Sequence, residues 1–357
     1  MKIVLLCWRD STHPLGGGSE RYIERVGEYL AARGHDVVLR TSSHTDAPRR
    51  SMKNGLRIER AGGKYSVYLL APLAVWRHRP DVVVDTQNGV PFFARAYTRA
   101  DTVLLTHHSH LRQWPVAGPI IGRLGAFLER RVAPRVYSGA QYVTVSDASR
   151  ADLVELGVRA ADIAVVHNGV DPLPPLVPTI PDDGKVHLVT LSRLVPHKRI
   201  EHAIDAVREL DGVVLDVLGS GWWEDELRAY AADLGDRVVF HGHVNEEYKH
   251  AVLSRAALHL LPSVKEGWGI AVIEAAQHGV PTVGYVEAGG LGDSVRDGTT
   301  GRLVGSEREF REVIARLLAD APVRDRMGAR AREWAAQFSW EETGRRFEEV
   351  LLAVTRS

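Results

Sequence analysis

Four charged residues in the second half of the chain have the types and spacing of a site for sugar and phosphate. Glu266 and Glu274 lie eight positions apart in SVKEGWGIAVIEAAQHGVP (263–281), on either side of a glycine-flanked tryptophan and an apolar run. Arg193 and Lys198 lie five positions apart in LSRLVPHKRIEHAIDAV (191–207). Carboxylates accept hydrogen bonds from hydroxyl groups and grip vicinal diols in pairs. Two cations converging from one loop can hold a diphosphate and stabilise it as it departs. A helix opening at Gly269 adds free N–H groups and a dipole that favours an anion. Each feature alone has a plainer reading, as solvated acids on a helix flank and as exposed surface bases. Together they suit a nucleotide sugar.

Two glycine runs and a histidine cluster come next. HPLGGGSERYIERVGEYL (13–30) sets Gly16, Gly17 and Gly18 ahead of a helical pattern, which permits close backbone approach to a ligand. The run is not G-x-G-x-x-G, and DVVLRT ends in Arg40 and Thr41 where a dinucleotide-binding unit needs an acid. In YVEAGGLGDSVRDGTTGRLV (285–304), successive amides around Gly289, Gly290 and Gly292 can cradle phosphate. LLTHHSHLRQW (104–114) has three histidines in four positions, at 107, 108 and 110. Clustered imidazoles can bind zinc. Residues 107 and 108 would face opposite ways in an extended chain, and no convincing carboxylate or thiolate stands nearby, so no metal is expected. The single cysteine, Cys7, lies in an apolar run and reads as a buried thiol.

These residues fall at the ends of short apolar runs. KIVLLC (2–7), DVVLRT (36–41), DVVVD (81–85), TVLLT (102–106) and QYVTVS (141–146) read as strands buried on both faces. SERYIERVGEYLAARG (19–34) has helical spacing, with Ser19 as N-cap and Gly34 as terminator. The pattern restarts with HLVTLS (187–192), VVLDVLG (213–219), RVVFHG (237–242), ALHLLPS (257–263), PTVGYV (281–286) and RLV (302–304). The intervening VDPLPPLVPTIPDDGK carries five prolines and no period, as a linker does. The expected division is a domain over 1–170, a linker over 171–185 and a domain over 186–338. Both are α/β, and ligands in such folds sit at the carboxyl ends of strands.

The chain's 357 residues suit two domains, and Lys plus Arg (45) equals Asp plus Glu (45). That balance gives no global attraction for nucleic acid. The N-terminus lacks a cleavage site and no run is long enough to span a bilayer, so the expected location is cytoplasmic. PIIGRLGAFLERRVAPRVY (119–137) is apolar on one side, with Arg123, Arg130, Arg131 and Arg135 elsewhere. Packing of its apolar side on the sheet is favoured over peripheral contact with anionic lipid, which would leave the protein membrane-associated.

The combination resembles the retaining glycosyltransferases of family 4, which have the GT-B fold of two Rossmann-like parallel-sheet domains facing across a cleft. The matching pieces are GGGSERYIERVGEYLAARGHDVVL, VTVSDASRADL, VVHNGVD, SRLVPHKR, VLGSG, FHGHV, PSVKEGWGIAVIEAAQHGVPTVG and GLGDSVRDGTTGRLV, in the family's order over almost the whole chain. The resemblance implies that Arg193 and Lys198 bind the donor diphosphate and that Glu274 holds the ribose. It implies that Glu266 contacts the transferred sugar, with amides around Trp268 and Gly269. Amides of Gly290, Leu291 and Gly292 would touch phosphate, Val244 would read the nucleobase through main chain, and Gly17 and Gly18 would approach the donor phosphate. His107, with His108 as competitor, would point at the sugar. A final helix over about 339–357 would pack back on the first domain. No metal and no cofactor are implied; the partners are a nucleoside-diphosphate sugar and a hydroxyl acceptor. Arg199 and Ser192 stand where the family usually has glycine, Trp268 where it has phenylalanine, and Asp293 where it has glutamate. A sugar-nucleotide epimerase of the same architecture and a non-catalytic nucleotide-binding protein are the alternatives.

Overall fold

The computed structural model describes residues 1–14, 16–111, 114 and 118–356. The chain divides into two compact units, Met1–Gly169 with Trp340–Ser357, and Val170–Ser339.

In the first unit the strands are β1 (Lys2–Leu6), β2 (Asp36–Thr41), β3 (Arg50–Lys53), β4 (Leu56–Arg60), β5 (Val82–Gln87), β6 (Asp101–Thr106), β7 (Gln141–Thr144) and β8 (Ile163–Val165). They form one sheet in the order β3-β4-β2-β1-β5-β6-β7-β8. All neighbours are parallel except β3 and β4, which are antiparallel. The valine- and leucine-rich central strands are buried along nearly their whole length, as a parallel sheet covered on both faces requires. The first helix runs Gly18–Ala32 and is capped by Gly17, one turn-half earlier than the expected Ser19. Glu20 Oε2 reaches back to the Gly17 N–H at 2.9 Å, which fixes that start.

The helix Trp340–Val354 belongs to this unit and lies on the helix Gly18–Ala32. Phe347 and Leu351 are fully buried there, the Tyr22 ring meets Trp340 and Phe347 edge-on, and Thr343 donates to the His167 carbonyl. Close approach is possible because Gly344 sits against the Tyr29 ring, where any Cβ would collide.

The helix Pro119–Phe127 departs from expectation. Gly122 and Gly125 form its buried side, while Ile120, Ile121, Leu124 and Phe127 are exposed. Its apolar side therefore does not pack on the sheet, because the indole of Trp114 occupies the space over Gly125. One π-helical turn follows over Leu128–Val132. It sends Glu129 inward to Trp114 Nε1 at 2.6 Å and to the His110 N–H at 2.7 Å.

In the second unit the strands are β9 (Val186–Leu191), β10 (Val213–Leu218), β11 (Val238–Gly242), β12 (Leu258–Leu261), β13 (Thr282–Tyr285) and β14 (Gly301–Val304). They are parallel and ordered β11-β10-β9-β12-β13-β14. Counted from β9, that is the 3-2-1-4-5-6 order of the Rossmann fold. The order reverses between β9 and β12, and in folds of this kind the carboxyl ends of the strands at such a reversal are where ligands bind. The proline-rich segment that precedes β9 is held to this unit: Gln277 donates to the Asp171 carbonyl and Asp183 accepts from His187.

Candidate active site

The loop after β9 carries Arg193 and Lys198, and the loop after β12 carries Glu266. A backbone bond from the Val264 N–H to the His197 carbonyl, 2.9 Å, ties the two loops at the reversal point. There Lys198 Nζ meets Glu266 Oε1 at 2.5 Å, with both side chains about nine-tenths covered. Burial pushes the Glu266 carboxyl up; Lys198 more than reverses this and leaves it below the usual carboxylate range. Arg193 is exposed, and its guanidinium makes no ion pair or hydrogen bond among the described residues, while its carbonyl accepts from the Val195 N–H at 3.1 Å. Its charge still reaches the site. Burial, then Lys198 and Arg193, push the His197 imidazole down to about 4. The loop holds one neutral imidazole between two cations.

Backbone glycines shape the floor. Gly219, at φ +121°, and Gly221 lie on the carbonyls of Ser192 and Leu194, where a Cβ would collide. The Leu194 N–H bonds the Ser220 carbonyl at 3.0 Å, which fixes the start of the Arg193–Lys198 loop. Arg199 adopts φ +47°, a left-handed conformation that favours glycine. Its guanidinium pairs with Glu287 at 2.6 Å.

Gly269, at φ +92°, caps the helix Ile270–Gln277. The N–H groups of Ile270 and Ala271 open that helix, while the Val272 N–H turns back to Gly269. The Trp268 side chain is buried edge-on against Phe338. Across the loop, the Glu266 N–H donates to the Ala288 carbonyl and the Gly290 N–H to the Glu266 carbonyl, at 2.8 and 3.2 Å. The Gly292 N–H goes to Gly289 at 2.8 Å. Of the amides of Gly290, Leu291 and Gly292, that of Leu291 is left to meet an anion.

Glu274 is buried one turn further along the same helix. Lys249 Nζ lies 2.7 Å from its Oε1 and 2.7 Å from Glu246 Oε2. Burial lowers the Lys249 ammonium; Glu274 and Glu246 more than reverse this and hold it above the usual lysine value. Lys249 is the residue that sequence reasoning misses, since its only signal is a glutamate three positions earlier on a charged helix. Val244 is half-buried, and its N–H and C=O make no hydrogen bond among the described residues.

In the first unit, His107 directly follows β6 and is buried edge-on with Tyr22, ring centres 5.2 Å apart. Burial pushes its imidazole down to about 4, and its Nε2 has no partner. His108 turns elsewhere and stacks on His110 at 4.4 Å. The Gly17 N–H is committed to Glu20, whose carboxylate also takes Arg9 at 3.0 Å. No group of three or more His, Cys, Asp or Glu among the described residues could hold a metal ion.

Residues 16–172 match the family model for glycosyltransferase family 4, and residues 178–334 match that for glycosyl transferases group 1. The chain belongs to the family 4 glycosyltransferases. This glycosyltransferase is 28% identical to a glycogen synthase of Mycobacterium tuberculosis, over 100% of this chain and 95% of the relative. It is 28% identical to the GDP-mannose-dependent alpha-(1-6)-phosphatidylinositol monomannoside mannosyltransferase of the same organism, over 98% of each. A sucrose-phosphate synthase from Thermosynechococcus elongatus shares its fold, with TM-score 0.83 and 21% identity over 99% of this chain and 98% of that one. The GT-B expectation of two Rossmann-like parallel-sheet domains therefore holds. Within the second domain of the glycosyltransferase, Lys198, Glu266, Gly269 and Gly290 are brought together; Glu274 is set apart with Lys249.

Proposed function

We propose that this glycosyltransferase moves a hexose-type sugar from a nucleoside diphosphate to an acceptor hydroxyl with retention at the anomeric carbon. The observation that carries this reading is the contact of Lys198 with Glu266 at the reversal of a Rossmann sheet, beside the open start of the helix Ile270–Gln277. A cation next to free amides stabilises a departing diphosphate, and an ionised acid beside it accepts from sugar hydroxyls. Arg193 swings onto the outer phosphate, Leu291 supplies an amide, and Glu274, oriented by Lys249, takes the ribose diol. Val244 reads the base through main chain.

The bond from the anomeric carbon to the diphosphate oxygen breaks, and the acceptor oxygen bonds to the same face. The acceptor proton passes to a phosphate oxygen. No side-chain nucleophile and no metal take part. The donor is met in the cytoplasm. The GDP-mannose dependence of the mannosyltransferase relative supports the donor class.

The test is a panel of uridine, guanosine and thymidine diphosphate sugars without acceptor. Slow release of free sugar and nucleotide is expected with one donor, and Lys198→Ala should lower it by about a hundredfold or more. A sugar altered but still attached, or full activity in the Lys198 variant, would overturn the proposal.

A further inference from the structure

The first unit carries an apolar surface that its own core does not use. In the helix Pro119–Phe127 the small residues Gly122 and Gly125 face inward, and the large ones face out, with Ile120 81% exposed. A helix bathed only in water places its residues the other way round. A second helix, Ser66–His78, buries Val67, Ala71 and Val75 and exposes Leu69, Leu73 and Trp76, the first at 81%. Both helices border the segment that follows β5. Phe92 of that segment stacks on Tyr68 at 4.4 Å. Trp114, seated on Gly125, also covers Gly89.

The charge carried by these two segments is mainly positive, and the acid facing them from β4 is Glu59, beside His78 and Arg77. Arg77 and Arg79 are exposed at the end of one helix; Arg123, Arg130 and Arg131 are exposed on and after the other. Glu129 is the single acid within 64–79 and 118–138, and it is buried on Trp114. Arg130, Arg131 and Arg135 share a polar hollow with Ser138, immediately beyond the apolar helix. Arg135 is held there by its own bond to the Arg131 carbonyl, 2.6 Å. A seat for phosphate thus adjoins a ledge for acyl chains. No helix among the described residues is long and apolar enough to cross a membrane, so such a ledge would lie in the interface plane.

We infer that the helices 119–127 and 66–78 together dock the first unit on a bilayer of anionic phospholipid, with the arginine hollow taking a headgroup phosphate. Apolar side chains enter the headgroup boundary while the arginines draw the protein to negative lipid. This surface is independent of the donor chemistry proposed above.

The test is co-sedimentation with vesicles of pure phosphatidylcholine and vesicles that also contain phosphatidylglycerol. Binding is expected only with phosphatidylglycerol and should weaken as salt is raised. Leu124→Asp with Phe127→Asp, Leu69→Asp with Trp76→Asp, and Arg130→Glu with Arg131→Glu should each weaken it by about tenfold or more. Exposed sites leave the fold intact, which unchanged melting temperatures would verify. Equal binding to both vesicle types, or undiminished binding in either aspartate pair, would overturn the inference. A dimer in sedimentation equilibrium that those aspartates dissociate would overturn it too, by assigning the surface to a second copy.

Discussion

Lys198 and Glu266 hold each other in a site nine-tenths closed to water, so each is the other's compensation for lost hydration. Removing one leaves a covered, unpaired charge. Lys198→Ala should therefore destabilise the second unit by roughly 3 kcal/mol, while Lys198→Met with Glu266→Gln should recover most of that loss. Both variants should cleave donor at least about a hundredfold more slowly. Denaturant titration of the single and double variants measures the coupling, and strictly additive losses would mean that the pair is not mutually supporting. The four charges are legible in the sequence as residue types at loop positions. Their meeting is not, because it joins residues 68 apart and depends on β9 lying beside β12. Lys249 is hidden for a related reason: its partner Glu274 is 25 positions away, on a helix that an amphipathic reading treats separately. Arg199 shows a converse case. A departure from the family's glycine is visible in sequence, and the left-handed backbone there explains what glycine would do.

The loops after β12 and β13 are zipped by main chain, with Gly290 at the point of closest approach. A Cβ on Gly290 would collide with the carbonyls of Gly267 and Glu266, whereas one on Gly292 would meet nothing. Gly290→Ala should cost about 1–3 kcal/mol by overpacking and weaken donor binding, by displacing Glu266 and the helix start together. Gly292→Ala should change stability by under about 0.5 kcal/mol. Melting curves and nucleotide titrations compare the two, and equal behaviour would remove the zipper from the account. Most strands of both sheets are legible because they are unbroken apolar runs. The β3–β4 hairpin escapes that search: LRIER alternates buried Leu56 and Ile58 with half-buried Arg57 and Glu59. Its signal is Asn54-Gly55, both at positive φ, which is the turn that joins two antiparallel strands. β8, with three residues, is too short to show a period. The outward apolar side of 119–127 was not legible either, since amphipathicity tells that a helix has two sides and not which one the sheet covers.

At the scale of the whole molecule, acid should act on the two units unequally. Burial holds His197, His259 and His278 of the second unit down to about 4, with neighbouring cations adding to it at His197 and His278. In the unfolded chain these groups protonate near 6.5. Between those values the unfolded state binds more protons, so the second unit loses stability as pH falls from about 6.5 toward 4. Glu266 and Asp216, held low in the fold, add to that loss as pH drops further through their folded values. The first unit has opposing groups. His107, down to about 4 by burial, favours unfolding in acid in the same way. Asp85 runs against it: burial pushes its carboxyl up to about 6 despite bonds from Phe92, Ala94 and Tyr137. Protonation of Asp85 in the fold thus offsets protonation of His107 in the unfolded chain. Hydrogen exchange read peptide by peptide from pH 7 to about 4.5 should show β9 and β12 losing protection before β5 and β6 do. His259→Gln, at a fully buried site, should flatten the pH slope of the second unit. Earlier opening of β5 and β6, or an unchanged slope in that variant, would show that the buried histidines do not govern acid stability.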